Sequence, residues 1–421
     1  MDDQALLYLI PNPDLLKIKG DKHLISIKGE ADLEKEFYNF ALNFKKSAHI
    51  ITTHLFDPSS NIGKLDTYFF SVAYLYRHSL ELILKAIGFK YIQAKQDRQA
   101  FIKDTFHNLQ NLLASISGHI ESQIRINRGA YDWLTSLFTD ISEIDKGSDS
   151  FRYPFVITID RNPFVENDPF SEVPKQYGIR PIFSKQTHIN LATFASKMEI
   201  AFDILSRYYS DSLTISDNYQ KYSPTFLEEG GSYYGQSVVG YSYKKNRFSP
   251  YVSAYTETAG YLFGYINTNN RAKESLFFPM CYLYRNGIEL ALKEILFEGS
   301  SYSKQDALKL IMKKKHSILG LWDKIKLDIQ RHSGSNDDSY LIYAEEYINQ
   351  LHKFDGAADK FRYPTNKHLE LHFKNTKKID IENASGFFEQ LAKFLHGVCL
   401  MMSHQNEMMA EIESEYGRYT D

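Results

Sequence analysis

Tyr74-Leu75-Tyr76-Arg77-His78-Ser79-Leu80-Glu81-Leu82-Ile83-Leu84-Lys85-Ala86-Ile87 returns later in the chain as Tyr282-Leu283-Tyr284-Arg285-Asn286-Gly287-Ile288-Glu289-Leu290-Ala291-Leu292-Lys293-Glu294-Ile295, with nine of the fourteen positions identical. Working outward, His107-Asn108-Leu109 is answered by His316-Ser317-Ile318, and Phe151-Arg152-Tyr153-Pro154 by Phe361-Arg362-Tyr363-Pro364. The offsets are 208, 209 and 210, so three separate anchors hold one register. An internal repeat of this length means one fold made twice.

Each copy should therefore carry the same helices in the same order. Apolar periodicity places helices in copy one over 31–56, 67–95, 107–117, 125–144 and 190–212, and in copy two over 247–267, 273–297, 316–331, 338–354 and 383–406. The helix bearing the repeat is apolar almost all round, which predicts burial on most sides. Phe155 to Ile159 and Ile179 to Phe183 read as a β-hairpin inserted in copy one, with Leu369 to Phe373 the corresponding strand candidate in copy two. Residues 1–30 alternate enough for a small hairpin. The expected organisation is an N-terminal extension (1–30), a first bundle (31–212), a linker (213–246) containing Gly230-Gly231, a second bundle (247–410) and a tail (411–421). The fold class is mainly α, two tandem up-and-down helical bundles with small β-hairpin insertions.

At 421 residues, with 43% apolar and 24% charged residues, the chain is long enough for two or three cores and too apolar for disorder. The net charge of −3 provides no global field for nucleic acid, so any such binding needs a local basic hollow. Two cysteines, Cys281 and Cys399, exclude a disulfide framework and point to a reducing compartment, with the cytoplasm as the expected location. The apolar run Leu6 to Ile10 stops at Pro11, too short for a signal core or a membrane span. Thirty tyrosines and 29 phenylalanines are mostly core at this spacing, with a few left to stack on bases.

Arg77, Glu81 and Lys85 stand at i, i+4 and i+8, as do Arg285, Glu289 and Lys293. The seam they form is either a salt-bridge ladder, reaching solvent or pairing with the next helix, or the positively edged wall of a ligand cleft. His107 and His316 are each expected to cap backbone N–H groups or to pair with a carboxylate of the preceding helix. The Phe-Arg-Tyr-Pro element ends a helix: Pro154 and Pro364 forbid its continuation and fix the arginine at a loop mouth, a good place to meet phosphate. In copy two, His368 follows Arg362, with Lys360 and Lys367 nearby; Arg152 has no such histidine.

The order of these elements resembles the HEPN domains: Glu81-Leu82-Ile83-Leu84-Lys85-Ala86, then His107-Asn108-Leu109-Gln110-Asn111-Leu112, then Arg152-Tyr153-Pro154, with their second-copy counterparts. The resemblance implies helical bundles of four to five helices and, in active members, a metal-independent endoribonuclease in which Arg, four to six residues and then His line a cleft between two facing domains. Arg362 and His368 fit that spacing as the catalytic pair, Arg as phosphate clamp and His as acid or base. Arg152, Tyr153, Tyr363, Lys360 and Lys367 are the candidates for RNA contact. A toxin or antiviral defence role follows from the same resemblance. So does the alternative of a non-catalytic module that binds RNA, a nucleotide or a protein such as an antitoxin, with a homodimer as a further possibility.

No cofactor is expected: the sequence has no Walker loop, no dinucleotide-binding glycine fingerprint and no nucleophile elbow. No metal site is expected either, since His368 and His372 are four apart in a stretch that reads as extended. Met401-Met402 and Met408-Met409 read as a core or oligomer seam.

Overall fold

The computed structural model describes residues 9–160, 176–240, 247–333 and 339–418. In chain order the elements are β1 (Leu24–Ile27), α1 (Leu33–Leu55), α2 (Gly63–Tyr91), α3 (Lys95–Thr105), α4 (Leu109–Ile116), α5 (Glu121–Ile126), α6 (Arg128–Asp145), β2 (Phe155–Asp160), β3 (Gln176–Pro181), β4 (Thr187–Asn190) and α7 (Leu191–Tyr209). The second half adds β5 (Gln236–Val239), α8 (Ser249–Thr268), α9 (Lys273–Glu294), α10 (Lys304–Lys314), α11 (Ile318–Ser333), α12 (Ser339–Asp355), β6 (Lys377–Asp380) and α13 (Ile381–Arg418). The fold is mainly α with small two-stranded sheets. Among the described residues no helix is long and apolar enough to cross a membrane.

The repeated helices α2 and α9 occupy the centre, as their all-round apolarity requires. Tyr68 to Phe89 and Leu276 to Glu294 are buried without interruption. α1 packs along α2 and α8 along α9, and the copies meet where α2 lies on α8 and α1 on α9. Tyr74 of α2 stacks on Tyr282 of α9 with ring centroids 4.7 Å apart, so equivalent residues of the two copies touch at a pseudo-twofold axis.

The small sheets obey the same symmetry. β4 leads into the closing helix of copy one and pairs antiparallel with β5, which leads into copy two. β6 leads into the closing helix of copy two and pairs with β1, which leads into copy one, in the register Leu24 to Asp380. Among the described N-terminal residues there is therefore no hairpin: the strand finds its partner some 350 residues away. Likewise 213–246 is not a loose tether where it is described. Phe226 is fully buried, Tyr222 accepts the indole N–H of Trp133 at 2.8 Å, and Glu228 pairs with the buried Lys197 at 2.8 Å.

The predicted hairpin is present as β2 and β3 with Ile157 opposite Ile179, the second strand beginning three residues earlier than its apolar residues suggested. Residues 369–373 form no strand; Thr365 and Leu371 make a single bridge around a turn in which Leu369 has φ +57°. The short helices α3 and α10 escape a reading by periodicity because most of their surface is solvated: only Phe101 and Thr105 of the first, and Ala307, Leu308 and Ile311 of the second, are buried. On α13, Met402 joins the core, whereas Met408 and Met409 are exposed.

Candidate functional site

The ionic seam predicted on α2 is buried. Arg77 and Glu81 are completely enclosed and Lys85 is 3% exposed. Glu81 takes Lys85 Nζ at 2.6 Å and an N–H of Arg77, whose Nε lies 3.1 Å from Asp145 Oδ2 of α6 and whose remaining nitrogen donates to the His107 carbonyl. His107 Nδ1 lies 2.8 Å from Glu81 Oε1. Burial alone would keep Glu81 protonated, but Lys85, His107 and Arg77 outweigh it and hold its carboxyl well below the usual range. Copy two builds the same cluster. Arg285 Nη1 to Glu289 is 3.1 Å, Lys293 to Glu289 2.7 Å, Arg285 Nη2 to the His316 carbonyl 2.7 Å, and His316 Nδ1 to Glu289 3.1 Å. Thus the seam is a buried ladder that pairs with the following helices, and both histidines meet the carboxylate of the preceding helix.

What the sequence does not reveal is the member each cluster takes from the opposite copy. Tyr363 of copy two donates its hydroxyl to Glu81 at 2.8 Å and lies 3.1 Å from His107 Nδ1. Tyr153 of copy one donates to Glu289 at 2.8 Å and lies 3.1 Å from His316 Nδ1. Lys85 sits 4.8 Å over the Tyr363 ring, and Lys293 4.2 Å over the Tyr153 ring. The Phe-Arg-Tyr-Pro loops therefore cross.

Local chemistry aims each loop. Ser148 and Ala358 hold φ near +60°, a conformation L residues seldom adopt, and let the chain double back. The Asp149 carbonyl then accepts N–H groups from Arg152 and Tyr153, and the Asp359 carbonyl those of Arg362 and Tyr363. The buried Asp145 and Asp355 carboxylates accept further backbone N–H groups from the same loops, at 2.9 Å from Ser150 and 3.0 Å from Asp359. Replacing Tyr363 or Tyr153 by Phe removes one hydrogen bond to a buried carboxylate, an expected loss of roughly 1.5–3 kcal/mol each. Urea midpoints of the two variants check this, and a cost below about 0.5 kcal/mol for both would mean the crossing contributes nothing.

The crossing carries the two arginines to the axis. Arg152 is 4% and Arg362 8% exposed. Arg152 reaches Asp149 at 3.2 Å and the Tyr153 hydroxyl at 2.9 Å, and Arg362 Nε donates to the Ala358 carbonyl at 2.8 Å. Among the described residues Arg362 has no carboxylate partner. Burial and then the like charge of Arg152 act against the charge on Arg362, yet its pKa is raised overall, and Tyr74 and Tyr282 neighbour both guanidinium groups. The Tyr74 and Tyr282 hydroxyls and Arg152 Nε are buried without hydrogen-bond partners. Two guanidinium groups and two phenols thus concentrate donors at one spot, the composition that recognises an oxyanion. On the same axis the buried His78 places Nε2 3.0 Å from the Arg362 carbonyl, and burial drives its pKa down to about 3.

The other predicted residues lie further out. His368 is exposed on the turn after Pro364; its carbonyl accepts the Gln99 side chain of α3 at 3.2 Å, and its ring has no partner among the described residues. Lys367 is exposed beside it. Lys360 is half-buried and lines a surface hollow of about 390 Å³ with His372, Lys374 and Lys377. Arg152, Tyr153, Arg362 and Tyr363 are therefore brought together, while Lys360, Lys367 and His368 sit on the periphery. His107 and His316, which sequence reading separates from the candidate catalytic pair, are the residues that the repeat could have promoted, since both copies keep them; in the structure Asn108, not His107, caps α4. Among the described residues no group of three or more His, Cys, Asp or Glu is placed to hold a metal ion. Comparisons with protein-family models, with characterised proteins and with solved structures find no match.

Proposed function

We propose that this chain is a HEPN-like, metal-independent endoribonuclease acting at the junction of its two halves, with Arg362 and Arg152 as the phosphate-binding pair. The observation that carries the reading is the convergence of the two proline-stopped arginines beside Tyr74 and Tyr282, where unpartnered buried donors accompany two like charges. Metal-free RNA cleavage needs a cation against the phosphate oxygens and a group that takes the 2′-hydroxyl proton. Arginine serves the first need at any pH. His368 is the nominee from the sequence for the second.

One observation favours a second reading, a non-catalytic RNA or nucleotide binder: the arginines are almost enclosed, whereas His368 is exposed with no carboxylate behind it. Labelled single-stranded RNA incubated with the protein in EDTA separates the two. The nuclease reading expects cleavage by the wild type and a loss of roughly 100-fold or more in Arg362→Ala, with growth arrest on overexpression relieved by the same change. Binding without cleavage, weakened by Arg152→Ala and Arg362→Ala, selects the second reading. Unaltered cleavage or binding in both variants rejects the arginine site.

A further inference from the structure

His107 and His316 have the geometry that a proton-accepting histidine requires. Each donor in the cluster is accounted for. Tyr363 is held well above the usual phenol range by burial and by Glu81, so it keeps its proton and donates it to the ionised Glu81. Glu81 then cannot supply a proton to the ring, and the tyrosine has none left for Nδ1. The 2.8 Å contact is therefore Nδ1–H donating to Glu81, the arrangement in which Nε2 is the nitrogen able to take up a proton. Tyr153 and Glu289 orient His316 in the same way.

Both rings also reach solvent, with 29% of the His107 side chain and 35% of the His316 side chain accessible, while the carboxylates behind them are 0% and 1% exposed. A solvent-reaching ring anchored through Nδ1 by a buried carboxylate is the arrangement of a general base. The residues just before them, Phe106 and Lys315, are held at φ +51° with ψ −114° and −108°, so strained backbone presents the ring in both copies. The surroundings suit a nucleic-acid strand. Phe106 is 65% exposed and its ring stands edge-on to His107 at 5.6 Å, a surface for a base, and the exposed Lys313 and Lys315 precede His316 in the chain as cations for phosphate.

We propose that His107 and His316 are the general bases of two RNA-cleaving sites, one on each side of the shared Arg152 and Arg362 pair and each completed by the tyrosine of the other copy. The proposal rests on the RNA reading above and replaces His368 as the proton acceptor. In each site the 2′-hydroxyl gives its proton to Nε2 as its oxygen bonds to phosphorus. The bond from phosphorus to the 5′-oxygen breaks, and the leaving alkoxide takes a proton from water. The products are a 2′,3′-cyclic phosphate and a 5′-hydroxyl, and the imidazolium returns its proton to solvent. Tyr153, Tyr363, Glu81 and Glu289 are positioning residues, acting through the ring.

The test is RNA cleavage in EDTA by the full chain, its His107→Gln and His316→Gln variants, the double variant and His368→Ala. With one base on each side of the shared arginine pair, each single variant keeps roughly half the rate and the double variant falls about 100-fold or more. His107→Gly with His316→Gly is then restored by added free imidazole, a rescue that a merely structural role does not give. Cleavage that survives in the double variant, or is abolished by His368→Ala alone, overturns the proposal and leaves the nuclease reading standing; no cleavage by the wild type removes both. Should the variants not fold, long-range proton–nitrogen correlation spectra of ¹⁵N-histidine wild type decide it. Two rings protonated at Nδ1 and bare at Nε2 are expected, and Nε2–H tautomers at both positions sink it.

Discussion

Glu81→Ala is expected to cost about 3–5 kcal/mol of unfolding free energy at neutral pH, and Glu289→Ala a similar amount. Either change leaves an arginine and a lysine, all at most 4% exposed, without their shared anion. It also strips the partner from a tyrosine hydroxyl and from a histidine N–H. Deleting one side of a buried pair is far more damaging than never having built it, because the abandoned charges stay desolvated. Asp132→Ala is the matched control. Its pair with Arg128 is 54% and 69% exposed, a geometry expected to be worth under about 1 kcal/mol. Urea midpoints at unchanged slope measure all three. A loss below about 1 kcal/mol in both glutamate variants would show that the clusters are not the enclosed networks described above. Because Tyr363 belongs to the other copy, a double-mutant cycle between Glu81→Ala and Tyr363→Phe should also give a non-zero coupling energy.

The second large effect is on acid stability and belongs to His78. Its folded pKa of about 3 lies below the 6.5 of a free histidine, so folding is not penalised above pH 6.5. As the pH falls from 6.5 toward 3, the unfolded chain binds a proton that the folded chain refuses. Stability drops by about 1.4 kcal/mol per pH unit, roughly 5 kcal/mol across the window. Glu36, raised to about 7 by burial, and Glu294, raised to about 8 by burial and then Glu298, act in the opposite direction between pH 8 and 4.5. Glu81 and Glu289, both depressed, add their own loss below pH 4.5. The wild-type curve alone therefore does not isolate the histidine, but a difference does. His78→Asn, the residue copy two holds at the equivalent Asn286, removes the titration, so wild type minus variant should slope downward toward acid between pH 6.5 and 3. A flat difference would mean that His78 is solvated.

Much of this architecture is legible from residue pattern alone. Apolarity on every side of α2 and α9 demands burial, the repeat demands two matching halves, and the alternating apolar residues of 155–159 demand a strand. The ladder on α2 is also readable, because side chains four apart on a helix must meet. The crossing of the tyrosines is not. A repeat states that two halves fold alike without saying whose loop fills whose cluster, and Tyr363 and Glu81 are 282 residues apart. The four-residue strands β1 and β5 are too short to show a period, and each pairs with a strand of the other half. At 369–373 a correct local alternation loses to the turn that Pro364 starts, and His368 is lifted outward with it. His107 and His316 look like capping residues in sequence because the carboxylate that orients each one lies on another helix.

The crossed tyrosines make this chain a symmetric dimer whose two subunits share one backbone. Two separate proteins shaking hands in this way would have to change in step, since every substitution would strike both sides at once. Joined end to end, one side is free to differ while the other keeps the grip: His78 in the first copy corresponds to Asn286 in the second, and among the described residues the β2–β3 hairpin belongs to the first half. The debt is that neither half can be cut out and kept, because each would leave behind the phenol that closes its sibling's core.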